Sequence, residues 1–452
     1  MKLYNTLSHK VETFKPRDSK CVKVYTCGPT VYSFAHVGNF TAYVYWDLLV
    51  RTLQANGWKV KRVLNITDVG HLTSDADEGE DKMEKGAKRE GKTVWEVAEM
   101  YMDDFLKQFR ALNLVEPSEI CRATDFIKED IALVEALDKK GFVYETSDGL
   151  YYDTSKFPAY ADLARLDLDH LRAGARVEFN DEKRNVSDFA LWKWVREGED
   201  HAMQWEYRGR AGYPGWHIEC ATIIHERLGE PIDIHTGGID HIPVHHTNEI
   251  AELEGAYGHK MSEFWLHNNF ITIEGEKISK SLGNVYYFDD LAKRGFSHLD
   301  YKMWVLQGHF QSERNFSFSD LGAAKQRLLN YRNFAARRWQ GGEQSDYADV
   351  QKKILAQLNN NLNSAGALAE LDAVVCNGIP SEKFVKFLDN IFGLNIAETT
   401  PDISDELKQK IIARAEAKKE KRYAEADRLR DEIMAEGITI LDTANGPVWQ
   451  YA

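Results

Sequence analysis

The feature that most constrains this chain is a strand, a helix and a second strand that follow one another near its start. Val22–Tyr25 has the pattern of a short buried strand, the run from Val37 to Gln54 places apolar residues near helical spacing, and Val60–Ile66 has the pattern of another strand. A unit of this kind is typical of a parallel sheet that binds nucleotides. We therefore predict an α/β fold built on a Rossmann-type parallel sheet.

Length and cysteine usage narrow the classes of protein. The 452 residues contain no apolar run long enough to span a membrane, and Met1–Arg17 lacks the apolar stretch of a signal peptide. The five cysteines are scattered along the chain, which indicates a reducing compartment and cysteines used for metal binding or chemistry rather than for disulfides. We expect a cytoplasmic protein without a membrane segment.

Charge is distributed unevenly. The whole chain has a formal net charge of −14, whereas Lys408–Arg430 holds nine basic and four acidic residues. A protein that attracts nucleic acid diffusely is usually basic overall. Contact with RNA is therefore expected only near this segment, since the acidic remainder would repel RNA. An ordinary solvated basic helix would show the same composition.

The first candidate site lies between the first strand and its helix, at His36, Gly38 and Asn39. A strand-to-helix turn presents backbone N–H groups at the positive end of the helix, which suits phosphate. Gly38 permits close approach of a ligand, and the His36 ring is able to donate a hydrogen bond to a phosphoryl oxygen. A histidine that only caps the helix would give the same pattern.

The second candidate site is the segment Lys277-Ile-Ser-Lys280-Ser281. Two ammonium groups and two hydroxyls on a loop are suited to hold a triphosphate and to neutralise the charge that develops as a bond to the α-phosphorus breaks. Lysine–serine runs also occur on ordinary solvated loops, so the segment indicates phosphate binding only together with the first site.

The third candidate site is a possible metal-binding set. Its members are Cys27, Cys220, His245 and Glu249, and the last two stand four residues apart in a stretch that looks helical. Two thiolates, an imidazole and a carboxylate suit zinc. Two alternatives stay open, because buried cysteines are often plain core residues and because the adjacent His246 is an equally suitable ligand.

The fourth candidate site follows the predicted strand Ile232–His235. Gly237 and Gly238 permit close approach to the backbone, and Asp240 offers a carboxylate that is able to accept hydrogen bonds from ribose hydroxyls. A Gly-Gly turn of purely structural origin is common.

Taken together and in this order, the four sites resemble the cysteinyl-tRNA synthetases, a family of class I aminoacyl-tRNA synthetases. The resemblance extends over nearly the whole chain. It rests on Tyr25–Tyr32, His36–Asn39, Asn65–Asp68, Asp188–Lys193, Gly215–Cys220, Asp233–Asp240, His245–Glu249, Lys277–Ser281, Ala424–Arg430 and the run from Gly437 to Trp449.

The resemblance implies a role for each candidate residue. The segment His36–Asn39 occupies the HIGH position of the family and Lys277–Ser281 the KMSKS position. Catalytic roles therefore fall to His36, Asn39, Lys277 and Lys280. Of these, His36, Asn39 and Lys280 also bind ATP, with Lys280 the likelier contact for pyrophosphate. The remaining assignments are ATP binding for Gly38, Gly237, Gly238 and Asp240, a substrate pocket for Trp216, His235 and Thr67, one zinc ion on Cys27, Cys220, His245 and Glu249, and tRNA contacts for Arg428 and Trp449.

The same resemblance implies the partners and the domains. We expect L-cysteine, ATP with Mg2+ and tRNA-Cys as substrates of a monomeric ligase. The expected domains are residues 1–120 and 211–270 for the two catalytic halves, 121–210 for an inserted connective domain, 271–320 for a region carrying the KMSKS position, 321–400 for a helical bundle and 401–452 for a small anticodon-binding domain. The region after residue 320 is expected to be mostly helical.

Two departures and two rival functions accompany this hypothesis. Asn39 replaces the second histidine of HIGH, and an amide carries no charge. Thr67–His71 departs from the more usual continuation, which is rich in Asp and Lys, and we expect a mobile or substrate-linked loop without a firm role across Gly70–Glu90. One rival is a related ligase that transfers activated cysteine to an amino-sugar, which the long basic C-terminal region disfavours. The other is a zinc-stabilised RNA-binding protein without catalysis, which the lysine–serine segment disfavours.

Overall fold

The computed structural model describes residues 1–70, 82–166, 182–196, 201–279, 282–376, 378–443 and 446–452. These residues form two compact units, residues 1–290 with 310–315 and residues 291–309 with 316–452. The helices span Val37–Ala55, Lys82–Glu90, Val94–Ala111, Ile127–Lys139, Trp216–Arg227, Thr247–Tyr257, Phe288–Lys293, His298–Leu306, Phe318–Ala336, Ala348–Leu358, Ser364–Val375, Glu382–Phe392, Ile396–Thr399, Asp405–Lys419 and Tyr423–Ala435.

A parallel sheet of five strands forms the centre of the first unit. Its strands, in order across the sheet, are Ser262–Asn268, Ile232–Gly238, Cys21–Thr26, Lys59–Ile66 and Glu119–Arg122, and all neighbours are parallel. The first expected strand does pair with the strand that follows its helix, with Cys21 opposite Lys59. The predicted α/β class is confirmed.

The order of these strands creates a switch point beside Cys21–Thr26. The chain adds strands to one side of it first, and the later strand Ile232–Gly238 then joins its other side. In open α/β sheets, ligands bind outside the carboxyl ends of the strands where the order reverses. Cys27 and Gly238 lie at these carboxyl ends, so the sheet brings two of the four candidate sites to one place.

Apolar side chains explain why these segments form the central layer. Val22, Val24 and Ile234 have no exposed surface, as expected for parallel strands that are covered on both faces. The helix Val37–Ala55 is buried along most of its length. The sequence pattern there is therefore a nearly continuous apolar run rather than a narrow stripe.

An antiparallel sheet of five strands forms from the part of the chain between two strands of the parallel sheet. In order across the sheet, its strands are Val143–Thr146, Gly149–Tyr152, Phe189–Trp194, Arg210–Pro214 and Trp205–Tyr207. It falls where the sequence predicts an inserted domain, whose bounds of 121–210 stay a prediction. The shorter strands are Lys2–Asn5, Lys10–Thr13, Ile271–Ile273, Glu276–Lys277, Arg314–Phe316, Gln344–Ser345 and Ile379–Pro380.

The second unit is mostly helical, as expected, and ends in a hairpin. The strands Ile438–Thr443 and Gly446–Tyr451 pair in antiparallel fashion. The hairpin packs on the helices through a small buried cluster that contains Ala336, Ile411, Ile433, Ile438 and Trp449. Among the described residues of the whole chain, no helix is both long and apolar enough to cross a membrane.

Candidate active site and metal cluster

The loop that carries His36 is held at the carboxyl end of the parallel sheet. The Gly28 N–H donates to Asn65 Oδ1 at 2.7 Å, and a Cβ at Gly28 would lie only 1.6 Å from the Asn65 carbonyl oxygen. Thr67 holds the loop through two backbone hydrogen bonds: its N–H donates to the Pro29 carbonyl, and its carbonyl accepts from the Val31 N–H. Thr67 itself is buried.

His36 stands at the start of the helix Val37–Ala55, and Asn39 caps that start. The His36 backbone N–H donates to Asn39 Oδ1 at 2.9 Å. The departure from the HIGH pattern therefore has a local structural use, since an amide oxygen satisfies an N–H group at a helix terminus that would otherwise lack a partner.

The first loop and the lysine–serine segment, about 240 residues apart in the chain, lie against each other. A Cβ at Gly38 would be 2.6 Å from Ile278 Cδ1, and the Val37 N–H donates to the Tyr286 carbonyl at 2.9 Å. Lys277 is exposed beside this contact. Lys280 and Ser281 lie outside the described residues.

Asn284, to which the sequence assigns no role, closes the base of the lysine–serine segment. Its Oδ1 accepts from the Ser279 N–H at 2.8 Å, and its Nδ2 donates to the Lys277 carbonyl at 3.0 Å. An asparagine soon after such a segment is a turn signal that sequence reading can recognise.

Arg89 also holds the loop that carries His36. Its guanidinium donates to the Tyr32 carbonyl at 3.1 Å and to the Tyr101 hydroxyl at 2.8 Å, and it pairs with Glu90. The prediction of a loop across Gly70–Glu90 is wrong for Lys82–Glu90, which is a helix. Residues 71–81 lie outside the described part of the chain.

Gly237 and Gly238 are the last residues of their strand, and the turn follows at Ile239–His241. A Cβ at Gly237 would lie 2.5 Å from His246 Cε1, and one at Gly238 would lie 2.3 Å from Asp240 Oδ1. At Gly237 the buried His246 ring leaves no room for a Cβ, whereas at Gly238 the Asp240 side chain would have to move. Asp240 is exposed at the end of the strand.

The four candidate metal ligands lie together in the interior. Ligand atoms of Cys27, Cys220, His245 and Glu249 are all within 4.8 Å of one another, and all four residues are buried. Cys27 follows its strand, Cys220 comes from the helix Trp216–Arg227, His245 from a π-helical turn, and Glu249 from the first turn of the next helix. His245 Nε2 is 2.9 Å from Glu249 Oε1.

A second group overlaps the first. Cys27, His235, His246 and Glu249 also place one ligand atom each within 4.8 Å of the others. Cys27 Sγ is 3.3 Å from His246 Nε2, and His235 Nε2 is 2.7 Å from Glu249 Oε2. The structure thus leaves both His245 and His246 within reach of the shared residues. We name the six residues of the two groups the buried cluster.

The charges in the buried cluster depend strongly on one another. Burial disfavours an ionised Glu249, yet His235 and His245 lower its pKa to about 2. Burial likewise disfavours a charged His245, yet Glu249 and Cys220 raise its pKa well above the usual value. Burial raises the pKa of the Cys27 thiol. A carboxylate and an imidazole therefore face two sulfur atoms in a buried site.

Aromatic rings fix the orientation of the cluster. Trp216 stacks on His245 with ring centroids 4.5 Å apart, and His235 stacks on Trp265 at 4.4 Å. Trp216 and His235, both expected in the substrate pocket, therefore contact the expected metal ligands or their neighbours. Two histidines that the sequence reading missed add hydrogen bonds: His217 bonds to His245 and His267 bonds to His246.

The C-terminal residues expected to contact tRNA are less available than predicted. Trp449 is 5% exposed and belongs to the core of the hairpin cluster, which favours the packed alternative, while a tRNA contact of its ring stays a prediction. Arg428 is exposed and pairs with Glu432. Seven of the nine basic residues of Lys408–Arg430 have a carboxylate within 4.0 Å.

Comparison with known proteins agrees with this geometry at the level of the class. Residues 13–326 match the family model of the tRNA synthetases class I (C) catalytic domain. The fold resembles that of Mycobacterium tuberculosis methionyl-tRNA synthetase in complex with methionyl-adenylate, with a TM-score of 0.58 and 17% identity over 84% of this chain and 90% of that one. The chain is therefore a member of the class I tRNA synthetases.

Sequence relatives define the family within the class. The chain is 44% identical to cysteine–tRNA ligase 1 of Burkholderia lata over 98% of this chain and 95% of that protein. It is 40% identical to the cysteine–tRNA ligase of Treponema denticola over 100% and 99% of the two chains. The chain belongs to the cysteine–tRNA ligase family, which confirms the resemblance seen in its motifs.

Proposed function

We propose that this protein activates L-cysteine with ATP and transfers it to the 3′ end of tRNA-Cys. Membership of the family supports the reaction. The observation that carries the proposal beyond the family is the buried cluster itself, which places two thiols, an imidazole and a carboxylate at the switch point of a nucleotide-binding sheet.

ATP would bind across the carboxyl end of the sheet. The N-terminal end of the helix Val37–Ala55 supplies a partial positive charge for phosphate, with His36 beside it. The turn after Gly237 and Gly238 would receive the adenosine, and Asp240, which is exposed after the strand, would accept hydrogen bonds from ribose hydroxyls. Lys280 would contact pyrophosphate, and Mg2+ would enter with the nucleotide.

The donor set of the buried cluster fits zinc. Cys27, Cys220, His245 and Glu249 would hold the ion with the sulfur, nitrogen and oxygen ligands that zinc prefers. Cysteine and serine differ by one atom, and size alone discriminates by about 1–3 kcal/mol. When bound, zinc would accept the substrate thiol as a thiolate ligand, a bond that a serine hydroxyl forms poorly.

The chemistry would proceed in two steps. The cysteine carboxylate attacks the α-phosphorus of ATP, so that cysteinyl-adenylate forms and pyrophosphate leaves. A terminal ribose hydroxyl of tRNA then takes the cysteinyl group, and AMP leaves. Neither step needs a side-chain nucleophile, because positioning and stabilisation of developing charge supply the catalysis. We assign that stabilisation to His36 and Lys280, with Lys277 and Asn39 shaping the two loops.

The C-terminal residues 401–452 would bind tRNA through a small number of phosphate contacts. Among the described residues of the basic segment, Lys419 and Lys421 are exposed and have no carboxylate within 4.0 Å. They are therefore better placed to meet phosphates than Arg428, which is already paired. We place the enzyme in the cytoplasm as a monomer, which size-exclusion chromatography with light scattering tests.

The deciding experiment is attachment of cysteine to RNA. Purified protein is incubated with labelled cysteine, ATP, Mg2+ and a bacterial total tRNA pool, and acid-precipitable label is counted. Charging of one tRNA species supports the proposal. Formation of adenylate without charging by any tRNA pool would favour the amino-sugar ligase, and absence of both activities would leave a metal-binding RNA-binding protein.

A further inference from the structure

The buried cluster holds more metal donors than one ion uses. Cys27 and Glu249 belong to both groups of four, while Cys220 and His245 belong only to the first and His235 and His246 only to the second. All six residues are buried. The second group offers one sulfur, two nitrogens and one oxygen, which is also a donor set that zinc accepts.

The distances in the second group lie on both sides of those expected for a tetrahedral site. Bonds of about 2.0–2.3 Å place neighbouring ligand atoms roughly 3.3–3.8 Å apart. Cys27 Sγ is 3.3 Å and Glu249 Oε1 is 4.0 Å from His246 Nε2. His235 Nε2 is 2.7 Å from Glu249 Oε2, a direct hydrogen bond that an ion between the two atoms would replace.

The hydrogen bonds behind the cluster prepare both histidines of the π-helical turn in the same way. A metal-binding histidine usually bonds through its other ring nitrogen, which fixes the ring and its tautomer. His245 Nδ1 is 2.9 Å from His217 Nδ1. His246 Nδ1 is 2.7 Å from His267 Nε2, and His267 in turn bonds to Thr6. This arrangement is an observation independent of the distances between the ligand atoms.

Rigid packing also favours the second group. His235 lies on a central strand, stacked on Trp265 at 4.4 Å and in ring contact with Tyr25 at 5.2 Å. A ring held on both sides keeps its rotamer, so the second group needs little reorganisation to receive an ion.

We propose that Cys27, His235, His246 and Glu249 form a second position for a single divalent ion of the zinc type, occupied in place of the position on Cys27, Cys220, His245 and Glu249. The shared thiolate and carboxylate keep the two positions close and mutually exclusive. Movement of the ion exchanges one thiolate and one imidazole for two imidazoles. Soft ions therefore prefer the first position, and ions that favour nitrogen prefer the second.

The test uses Co2+, whose sulfur-to-metal absorption counts thiolate ligands. The variant Cys220→Ala/His245→Gln lacks both donors that only the first position uses. We expect it to bind one Co2+ per chain with about half of the wild-type charge-transfer intensity, because one of two thiolates remains. Addition of His246→Gln to this variant is expected to weaken binding by at least about 10-fold.

The same substitution in the wild type serves as the comparison. His246→Gln alone is expected to change Co2+ affinity by less than about threefold, because the first position stays complete. His225→Gln, on the helix of Cys220 but paired with Glu230, is the control and should change nothing. If Cys220→Ala/His245→Gln shows no cooperative thermal unfolding, the effect of His246→Gln on Co2+ affinity is measured in the Cys220→Ala background instead.

Three results would overturn the proposal. The first is a folded Cys220→Ala/His245→Gln variant that binds no Co2+. The second is an effect of His246→Gln that is equal with and without Cys220. The third is two ions bound per wild-type chain. Each readout is metal binding, so failure here is distinct from failure to charge tRNA.

Discussion

Two charged regions of this molecule differ in how their side chains are used. In the buried cluster, polar groups from five segments of the chain meet in the interior, and Glu249 alone approaches both His235 and His245. On the helices Asp405–Lys419 and Tyr423–Ala435, most charges are exposed and pair with near neighbours, as Arg428 does with Glu432.

The comparison shows that burial determines how strongly a charged side chain interacts with its partners. Exposed ion pairs contribute about 0–1 kcal/mol each because water screens them. Interactions in a dry interior are several times stronger, and buried charges need partners. The six-residue buried cluster therefore determines chemistry, whereas the formal excess of five positive charges in the basic segment overstates its attraction for RNA.

The largest effect is expected for Cys27→Ala, which removes the sulfur shared by both metal positions. We expect the variant to lose stoichiometric zinc and, with it, cysteine-dependent ATP–pyrophosphate exchange, since metal-binding free energy depends on each ligand. Metal content and exchange rate are the measurements. Cys121→Ala, a buried cysteine on the strand Glu119–Arg122, is the matched control. Full zinc content in Cys27→Ala would contradict the site.

Trp449→Ala distinguishes a core residue from a base-stacking residue. Removal of a buried tryptophan costs about 3–5 kcal/mol, so we expect a clear fall in the free energy of unfolding of the second unit in urea. Tyr423→Ala, at a side chain that is 60% exposed, should change it by less than about 0.5 kcal/mol. Unchanged stability with weakened tRNA binding would restore the stacking role.

Arg89→Lys tests whether the clamp on the first loop positions His36. A lysine keeps the charge but loses the geometry that reaches both Tyr32 and Tyr101. We expect kcat of the exchange reaction to fall about 10-fold, with a smaller change in KM for ATP, because misplacement of a loop acts on the reacting geometry. Arg110→Lys, an exposed residue paired with Glu116, is the control; equal effects would exclude a positioning role.

Lys419→Glu/Lys421→Glu addresses the unpaired part of the basic segment. Each lysine that contacts a phosphate contributes about 1 to the salt slope of binding, so we expect weaker tRNA binding, a slope lowered by up to about 2, and unchanged exchange. Lys352→Glu/Lys386→Glu makes the same charge change on other exposed helices. Arg428→Ala should weaken tRNA binding less than the double lysine variant does. A larger effect of Arg428→Ala would show that the ion pair with Glu432 does not keep Arg428 from contacting tRNA.

The smallest effect concerns Asp442, which accepts from Arg414 and Lys418. These hydrogen bonds hold its pKa well below the usual value. A lowered carboxyl pKa stabilises the fold above the unfolded value of about 3.9, and the gain is lost as pH falls. Because Asp442 is 42% exposed, we expect less than about 1 kcal/mol. In Asp442→Asn, the free energy of unfolding should fall less steeply as the pH is lowered through the acid range. The same pH dependence as in the wild type would contradict this.

The strand pattern and the residue types of the first four sites were predictable from sequence because each has a local signal. Val22–Tyr25 and Val60–Ile66 have the pattern of short strands, and Gly38 and Gly237 stand where an added Cβ would meet a neighbouring side chain. The grouping of Cys27 with Cys220 followed only from family resemblance, since no local rule joins residues so far apart.

Other features depend on tertiary contacts that a local pattern does not contain. His217 and His267 bond to cluster histidines across helices and strands. Arg89 reaches the first loop from a separate helix, and its own segment has no apolar periodicity to predict contact. From the sequence, the Trp449 ring is expected to be accessible near the C-terminus, whereas in the structure it packs into the buried cluster of the hairpin.

The most direct test compares cysteine with serine in ATP–pyrophosphate exchange before and after removal of the metal. Zinc is stripped with a chelator and then restored, and the ratio of the two kcat/KM values is measured at each stage. We predict that the ratio falls at least to the roughly 10–200-fold that a size difference allows and recovers with zinc. An unchanged ratio in fully metal-free protein would contradict a buried cluster that selects the thiol through its metal.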